Sequence, residues 1–176
     1  MRGYMTIPPR SVTKDYRAPR FATLVVIEFS AAWPEWLSPS AHGDMAIVAQ
    51  HYEGHPSSLV TQVAMRTTKL EAVGWKLGRI VLVTNGRCDA DSIASRSVLA
   101  RGLLARLKAN NTGELLMTVD AKQGERAASR LLSLAATLER SRRGSDVILS
   151  LRIGDSVYRS PKPLADQVVA EERRAG

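Results

Sequence analysis

The feature that most constrains this chain is an alternation of helix and strand patterns that occurs three times between Pro56 and Ile153. In each repeat, a segment with apolar residues at helical spacing precedes a short apolar run, and turn residues separate the two. Because connections between parallel strands are right-handed, this order predicts a mostly parallel sheet covered by helices. The loops that join the segments contain no recognised catalytic motif.

The second helix has the strongest pattern of the three. It follows Asp89, a residue type that favours the N-cap, and it ends at the turn sequence Asn110–Gly113. Its apolar stripe consists of Ile93, Leu99, Leu103 and Leu107. The other two helices are predicted over Pro56–Leu77 and Glu125–Arg143. The strands that follow the three helices are predicted within Arg79–Thr84, Glu114–Val119 and Ser145–Ile153.

Two further strands are predicted before the first helix. Phe21–Phe29 is almost continuously apolar, which is typical of a strand buried on both faces. Asp44–Glu53 is expected to form a strand that pairs with it in the antiparallel direction, and a helix is the less favoured alternative. The predicted fold is therefore α/β: a three-layer Rossmann-like sandwich with a mostly parallel sheet of about five strands and an N-terminal antiparallel edge.

The length of the chain favours a single domain. A chain of 176 residues can bury roughly two-thirds of the surface that it exposes when unfolded. We expect a basic N-terminal arm over residues 1–20, one α/β domain over residues 21–158 and a charged C-terminal tail over residues 159–176. The arm is inferred because residues 1–20 contain three prolines and show no hydrophobic periodicity.

The sequence predicts neither membrane insertion nor export. The longest apolar run, Ala22–Ile27, is far shorter than the roughly 20 residues of a membrane span. The first 20 residues have no apolar stretch of the kind found in signal peptides. The single cysteine, Cys88, cannot form an internal disulfide, so the cytoplasm is the expected compartment.

Candidate ligand-binding groups follow the predicted strands. Ligands of open parallel sheets bind outside the carboxyl ends of the strands, so the loops after Phe29, Thr84 and Val119 are the expected places. An arginine near a helix N-terminus suits an anion, whereas two carboxylates beside a lysine suit a divalent cation. The predicted ligand-binding residues are Asn85, Arg87, Asp89, Asp91, Asp120 and Lys122. The alternative is that Asp89 or Asp91 only caps the second helix.

Several chemistries lack their usual sequence signatures. Neither GxxxxGK[ST] nor GxGxxG occurs, so the common nucleotide-binding loops are absent. His51 and His55 have a spacing found in metal sites, but Gly54 and Pro56 prevent the helix that would align them. Cys88 has no histidine close in sequence to act as its base. We therefore expect no catalytic residue, no metal and no cofactor.

The formal net charge of +8 is concentrated in residues 1–20 and in Lys122–Arg143. An interaction patch on the third helix is predicted at Arg126, Arg130, Arg140, Arg142 and Arg143. Such a surface attracts an acidic protein or a nucleic acid. However, no aromatic residues alternate with the basic ones in the sequence to stack on bases, so nucleic acid is the less favoured partner.

Three functional hypotheses follow. The first is a non-enzymatic binding or regulatory domain that forms a homodimer or binds an acidic protein. The second is an α/β protein that binds a small ligand, a phosphate or a nucleotide at the carboxyl ends of its strands, with an enzyme as one form of it. The third is a basic protein associated with nucleic acid through its N-terminal arm and third helix.

Overall fold

The computed structural model describes residues 20–37, 47–51, 55–110, 113–160 and 164–175. The predicted N-terminal arm lies outside the described residues, except for Arg20. The strands are β1 (Arg20–Ile27), β2 (Ile47–His51), β3 (Trp75–Val83), β4 (Glu114–Val119), β5 (Ile148–Ile153) and β6 (Ser156–Arg159). The helices are α1 (Pro56–Ala72), α2 (Ala90–Ala109), α3 (Gly124–Ser141) and α4 (Leu164–Ala175), and a 3-10 turn at Ala121–Gln123 precedes α3.

The described strands form one sheet in the order β2-β1-β3-β4-β5-β6. All neighbouring pairs from β2 to β5 are parallel, and β6 alone is antiparallel to its neighbour. This confirms an α/β chain with a mostly parallel sheet. The predicted N-terminal antiparallel edge is wrong, because β1 and β2 are parallel. Residues 28–46 connect these strands and exceed the dozen or so residues that a parallel crossover needs.

The four helices pack on one face of the sheet, which we call the helical face. The connections from β2 to β3, from β3 to β4 and from β4 to β5 all advance in one direction across the sheet. Right-handed crossovers therefore place α1, α2 and α3 on the same side, and Val168 of α4 joins their core. The strand residues in this core include Leu24, Val26, Ile80, Leu82, Leu115, Met117, Leu149 and Leu151.

The opposite face of the sheet has a different cover. The step from β1 to β2 runs in the reverse direction across the sheet, and the described part of its connection, residues 28–37, reaches the side away from the helices. Leu37 and the half-buried Trp36 of this connection pack against that side. The strand residues beneath them are Val25, Ile27, Val81, Val83 and Leu116. We call this side the open face, because none of the described helices packs there.

The helix bounds follow local sequence signals. Helix α2 begins after the predicted N-cap Asp89 and ends just before Asn110, as expected. Helix α1 is shorter than predicted, because it ends at Ala72 and Leu77 belongs to β3. Gly74, with φ of 91°, adopts the left-handed conformation that ends the helical path. The apolar run that follows it then continues as a strand.

Helices α1 and α2 approach closely at Gly102. A Cβ atom at this position would lie 2.5 Å from Cγ2 of Val60. A valine in a helix has essentially one χ1 rotamer, so Val60 cannot rotate away. We expect Gly102→Ala to lower the free energy of unfolding by about 1–3 kcal/mol through overpacking. Without the clash, alanine would be favoured over glycine within a helix by roughly 1 kcal/mol, so a loss of stability requires the contact with Val60. Urea unfolding measures the change.

The control for this prediction is the double variant Val60→Ala/Gly102→Ala. Removing the Val60 methyl groups removes the clash, so the double variant should be at least as stable as Val60→Ala alone. A Gly102→Ala protein that is about 1 kcal/mol more stable than the wild type would contradict the close approach of the two helices.

Candidate functional site

A crevice of about 230 Å³ opens at the carboxyl ends of β1 and β3. These strands are neighbours in the sheet, but the connections that leave them run in opposite directions. Such a reversal is the place where open α/β sheets bind ligands. The crevice is lined by Glu28, Phe29, Asn85, Arg87, Asp91, Ser92 and Ser95.

A buried ion pair lies at the base of this crevice. Glu28 follows the last residue of β1, and Arg96 comes from the second turn of α2. The Arg96 Nε atom donates to Glu28 Oε1 at 2.6 Å, and Nη2 donates to Glu28 Oε2 at 2.9 Å. The two side chains are only 5% and 6% exposed. Both charges are thus compensated within the protein by a two-pronged contact.

The loop between β3 and α2 completes this network. Asn85 donates its backbone N–H to Glu28 Oε2 at 2.9 Å and its side-chain Nδ2 to Phe29 O at 2.8 Å. The Arg96 guanidinium also donates to Arg87 O at 3.2 Å and to Asn85 Oδ1 at 3.3 Å. The Arg87 N–H donates to Asn85 Oδ1 at 3.0 Å. The loop is therefore tied both to the end of β1 and to α2.

Asp89 caps helix α2. Its carboxylate accepts from Ser92 N at 2.9 Å and from Ser92 Oγ at 2.8 Å. These bonds favour the charged carboxylate and hold the pKa of Asp89 below its usual value of 3.8, the bond from the Ser92 backbone contributing most. This geometry supports the alternative prediction for Asp89, that it caps helix α2.

Two other charged side chains at the crevice, Arg87 and Asp91, do not cap a helix. Arg87 and Asp91 are both exposed, and among the described residues neither lies within ion-pair distance of an opposite charge. The Arg87 charge makes a small contribution to lowering the pKa of Asp89. The Phe29 ring, 57% exposed, adds an apolar surface to the same crevice. Ser95, from the second turn of α2, contributes a hydroxyl group.

Asp120 and Lys122 do not line the crevice, although their loop is adjacent to it. Asp120 Oδ1 accepts from the Lys122 N–H at 3.0 Å and thereby caps the 3-10 turn. The two loops meet where Gly86 faces Gln123, since a Cβ atom on Gly86 would lie 2.8 Å from the Gln123 Cβ. Of the six predicted ligand-binding residues, the structure therefore brings Asn85, Arg87 and Asp91 to the crevice.

The five arginines predicted as a patch on α3 do not form one uniform surface. Arg142 is half-buried and donates to Val147 O at 3.4 Å, at the C-terminal end of the helix. Arg130 is exposed and lines a groove of about 180 Å³ between α2 and α3. The remaining three, Arg126, Arg140 and Arg143, are exposed.

Sequence reasoning missed the ion pair at the centre of the site. Glu28 is the one charged residue within Phe21–Phe29, which is predicted to be a buried strand. Arg96 lies three residues after Ile93 and three before Leu99, on the apolar stripe of α2. A charge of each sign in positions that should be buried indicates a buried ion pair, because such residues are rarely buried alone. That signal was available, but it could not name the partner.

Some arrangements are absent from the part of the chain that the structure describes. No group of three or more His, Cys, Asp or Glu side chains is placed there to hold a metal ion. No helix in the same ranges has the length and apolar character needed to cross a membrane. The half-buried Cys88 thiol donates to Gly86 O at 3.3 Å.

Comparisons with protein-family models, with curated proteins and with solved structures give no match to this chain.

The Glu28–Arg96 pair gives a stability prediction. Arg96→Met leaves the Glu28 carboxylate buried and unpaired, so the free energy of unfolding should fall by about 3–5 kcal/mol. In Glu28→Leu/Arg96→Met no charge remains buried, so part of this stability should return, while the Asn85 N–H and the Arg87 carbonyl still lose the partners that the pair supplied. Arg101→Met, at an exposed position of the same helix, is the matched control. Urea unfolding of the four proteins is the measurement, and a loss below about 1 kcal/mol in Arg96→Met would exclude a strong pair.

The Asp89 cap predicts a pH dependence. The native pKa lies below 3.8, so the charged carboxylate stabilises the fold above that pH, and the contribution is lost as pH falls through the native pKa. Asp89→Asn keeps a capping oxygen but does not titrate. The difference in Tm between wild type and variant should stay constant at higher pH and shrink below pH 3.8. Thermal unfolding across this range tests it, and a difference that does not change with pH would contradict the cap.

Proposed function

We propose that this chain is a non-enzymatic binding domain whose ligand is a small zwitterion of the size of an amino acid. The observation that carries the proposal is the presence of one cation and one carboxylate without ion-pair partners among the described residues, Arg87 and Asp91, on the walls of one small crevice. The position of the crevice, where the sheet connections reverse direction, supports a ligand site.

The chemistry of the lining groups supports this ligand class. A guanidinium binds a carboxylate through two parallel hydrogen bonds, which assigns Arg87 to the acid end of the ligand. Asp91 then pairs with the ammonium group. The exposed Phe29 ring offers apolar contact for a side chain, and Ser95 offers a hydroxyl. A crevice of about 230 Å³ suits a molecule of this size.

The same groups argue against a phosphate or a nucleotide. Two carboxylates, Asp89 and Asp91, stand at the start of α2, where their charge repels an anion. The Ser92 N–H, which a phosphate would need, already donates to Asp89. A zwitterion avoids this penalty because its ammonium group compensates the carboxylate of Asp91.

Hydrogen bonds at the crevice favour binding over catalysis. Glu28, the carboxylate nearest its base, is bonded to Arg96 and to Asn85. The Cys88 thiol is bonded to a backbone carbonyl. A general base or a nucleophile needs a lone pair directed at the substrate, and these two groups are directed at the protein instead.

The proposal includes a Rossmann-like three-layer architecture. The sheet order and the reversal at β1 and β3 support it, and the third layer would be the connection from β1 to β2. Leu37 and Trp36 of that connection pack on the face opposite the helices, as this arrangement requires. Self-association and a cytoplasmic location stay predictions.

Native mass spectrometry and calorimetry test the binding function. The protein is titrated with each of the standard amino acids, with inorganic phosphate and with AMP. We expect one or a few amino acids to bind with one ligand per chain. The mass spectra also give the number of chains, which tests the predicted homodimer.

Two charge-neutral variants define the site. Arg87→Gln and Asp91→Asn should each weaken amino-acid binding by about tenfold or more, because each loses a charge-assisted hydrogen bond. Arg101→Gln, at an exposed position of α2, should bind as the wild type does. The proposal fails if no amino acid binds, if phosphate or AMP binds in its place, or if Arg87→Gln leaves the affinity unchanged.

A further inference from the structure

The open face of the sheet carries a second set of exposed groups, far from the crevice. Leu37 and Trp36 cover the open face over the carboxyl halves of β1 and β3. Near the amino ends of the strands, Phe21 and Ile148 are each 43% exposed. This part of the open face is therefore accessible at the end of the sheet opposite the zwitterion site.

Phe21 lies over a glycine of the neighbouring strand. The pairing of β1 with β3 is irregular between Ala22 and Thr23, where Gly78 is the extra residue of β3. A Cβ atom on Gly78 would lie 3.0 Å from both Cβ and Cδ1 of Phe21. The Phe21 ring therefore packs directly on the Gly78 backbone, which a side chain at position 78 would block. The other side of the ring is exposed to solvent.

Three cations, Lys76, Arg79 and Arg159, lie on the same face of the sheet as this ring. Lys76 is the register partner of Phe21, and Arg79 is the register partner of Thr23. Residues paired in register point to the same face of a sheet. Glu114 lies on this face because it is the register partner of Arg79. Ser150 donates to Glu114 Oε1 at 2.6 Å, and Arg159 pairs in register with Ser150, so Arg159 lies on the same face.

The buried carboxylate of Glu114 pairs with two of these cations, Arg79 and Arg159. Arg79 Nε donates to Glu114 Oε2 at 2.8 Å, and Arg159 Nε lies 3.5 Å from Glu114 Oε1. Among the described residues, the terminal nitrogens of Arg79 have no hydrogen-bond acceptor, and the Arg159 side chain is 59% exposed. Lys76 adds a third cation to this face, so these three cations outnumber the Glu114 carboxylate and the set has a net positive charge.

We propose that this surface, defined by Phe21, Lys76, Arg79 and Arg159, binds single-stranded nucleic acid. One base stacks on the Phe21 ring, and the nucleotide chain runs across the strands from β1 towards β6, so that its phosphates contact Lys76, Arg79 and Arg159 in turn. An exposed aromatic ring on a sheet, with cations beside it, is the combination that binds unpaired bases without reading a particular sequence. The inference is independent of the zwitterion site, since the two share no residue.

The observations favour a nucleic acid over an acidic protein. Charge alone would suit either partner. The solvent-exposed ring supported by Gly78 adds a stacking surface, which a base uses fully and a glutamate side chain does not. A second copy of the chain is disfavoured as the occupant, because it would bring the same excess of positive charge against this surface.

Fluorescence anisotropy with labelled oligouridylate and oligothymidylate of about 12 nucleotides tests the proposal on the full chain. We expect binding whose affinity falls with salt, with a slope of about −2 in log K against log salt concentration for three phosphate contacts. Phe21→Ala should weaken binding roughly tenfold, whereas Phe21→Trp keeps a stacking ring and should retain it. Circular dichroism and urea unfolding show whether each variant is folded.

Charge variants separate this surface from the helical face. Lys76→Gln and Arg159→Gln should each weaken binding and reduce the salt slope by about 0.7. The matched control is Arg126→Gln/Arg130→Gln, which removes two exposed cations from α3 on the other side of the sheet. The double variant should bind almost as the wild type does at moderate salt.

Three results would overturn the inference. The first is no oligonucleotide binding at low salt. The second is binding that is lost in Arg126→Gln/Arg130→Gln but unchanged in Phe21→Ala, which would assign it to α3. The third is displacement of the oligonucleotide by a polyglutamate peptide at equal concentration, together with affinities for both ligands that Phe21→Ala leaves unchanged. That result would mean that charge alone determines binding and that the surface suits acidic proteins.

Discussion

The arrangement of the carboxyl end of the sheet depends on the ion pair between Glu28 and Arg96. Its contacts join the end of β1, the loop after β3 and the second turn of α2. A buried pair adds little stability compared with apolar residues of the same size, but removing one partner is costly. The pair therefore acts mainly by holding three elements in one relative position. It also neutralises Glu28, so that Arg87 and Asp91 supply the charge that the crevice offers.

Chain direction accounts for the placement of both candidate surfaces. Three right-handed connections that advance in one direction cover one face of the sheet with helices. The connection from β1 to β2 runs the other way, and the crevice lies where it diverges from the connection that leaves β3. The described part of the β1–β2 connection lies on the opposite face. The described part of that connection covers the apolar residues near the carboxyl ends of the strands. Phe21 lies towards the other end, next to the β-bulge at Gly78, with Lys76 and Arg79 on the neighbouring strand.

Local signals predicted the elements with different success. Helix α2 and β4 were predicted to within a residue or two, because an N-cap, an apolar stripe and turn residues all lie within the segment itself. Helix α1 was predicted too long, since Leu77 also fits helical spacing and only Gly74 marks the stop. The direction of β2 was predicted wrongly, because pairing direction depends on the path of the connection and not on the residues of the strand.

Some residues of the candidate sites could be selected from the sequence, whereas others could not. Asn85, Arg87 and Asp91 could be selected because polar residues directly after a buried strand lie at the ligand-binding edge of a parallel sheet. Glu28 and Arg96 are 68 residues apart, and nothing near either one names the other. Phe21 and Lys76 are 55 residues apart in the sequence, yet strand register places them opposite each other.

Residue periodicity, caps and turn residues thus decided which segments become helices and strands, since these preferences act over a few neighbouring residues. Strand order, pairing direction and the meeting of distant charges were decided by tertiary structure. The physical reason is that these features depend on burial and on the handedness of long connections, which involve contacts between remote parts of the chain.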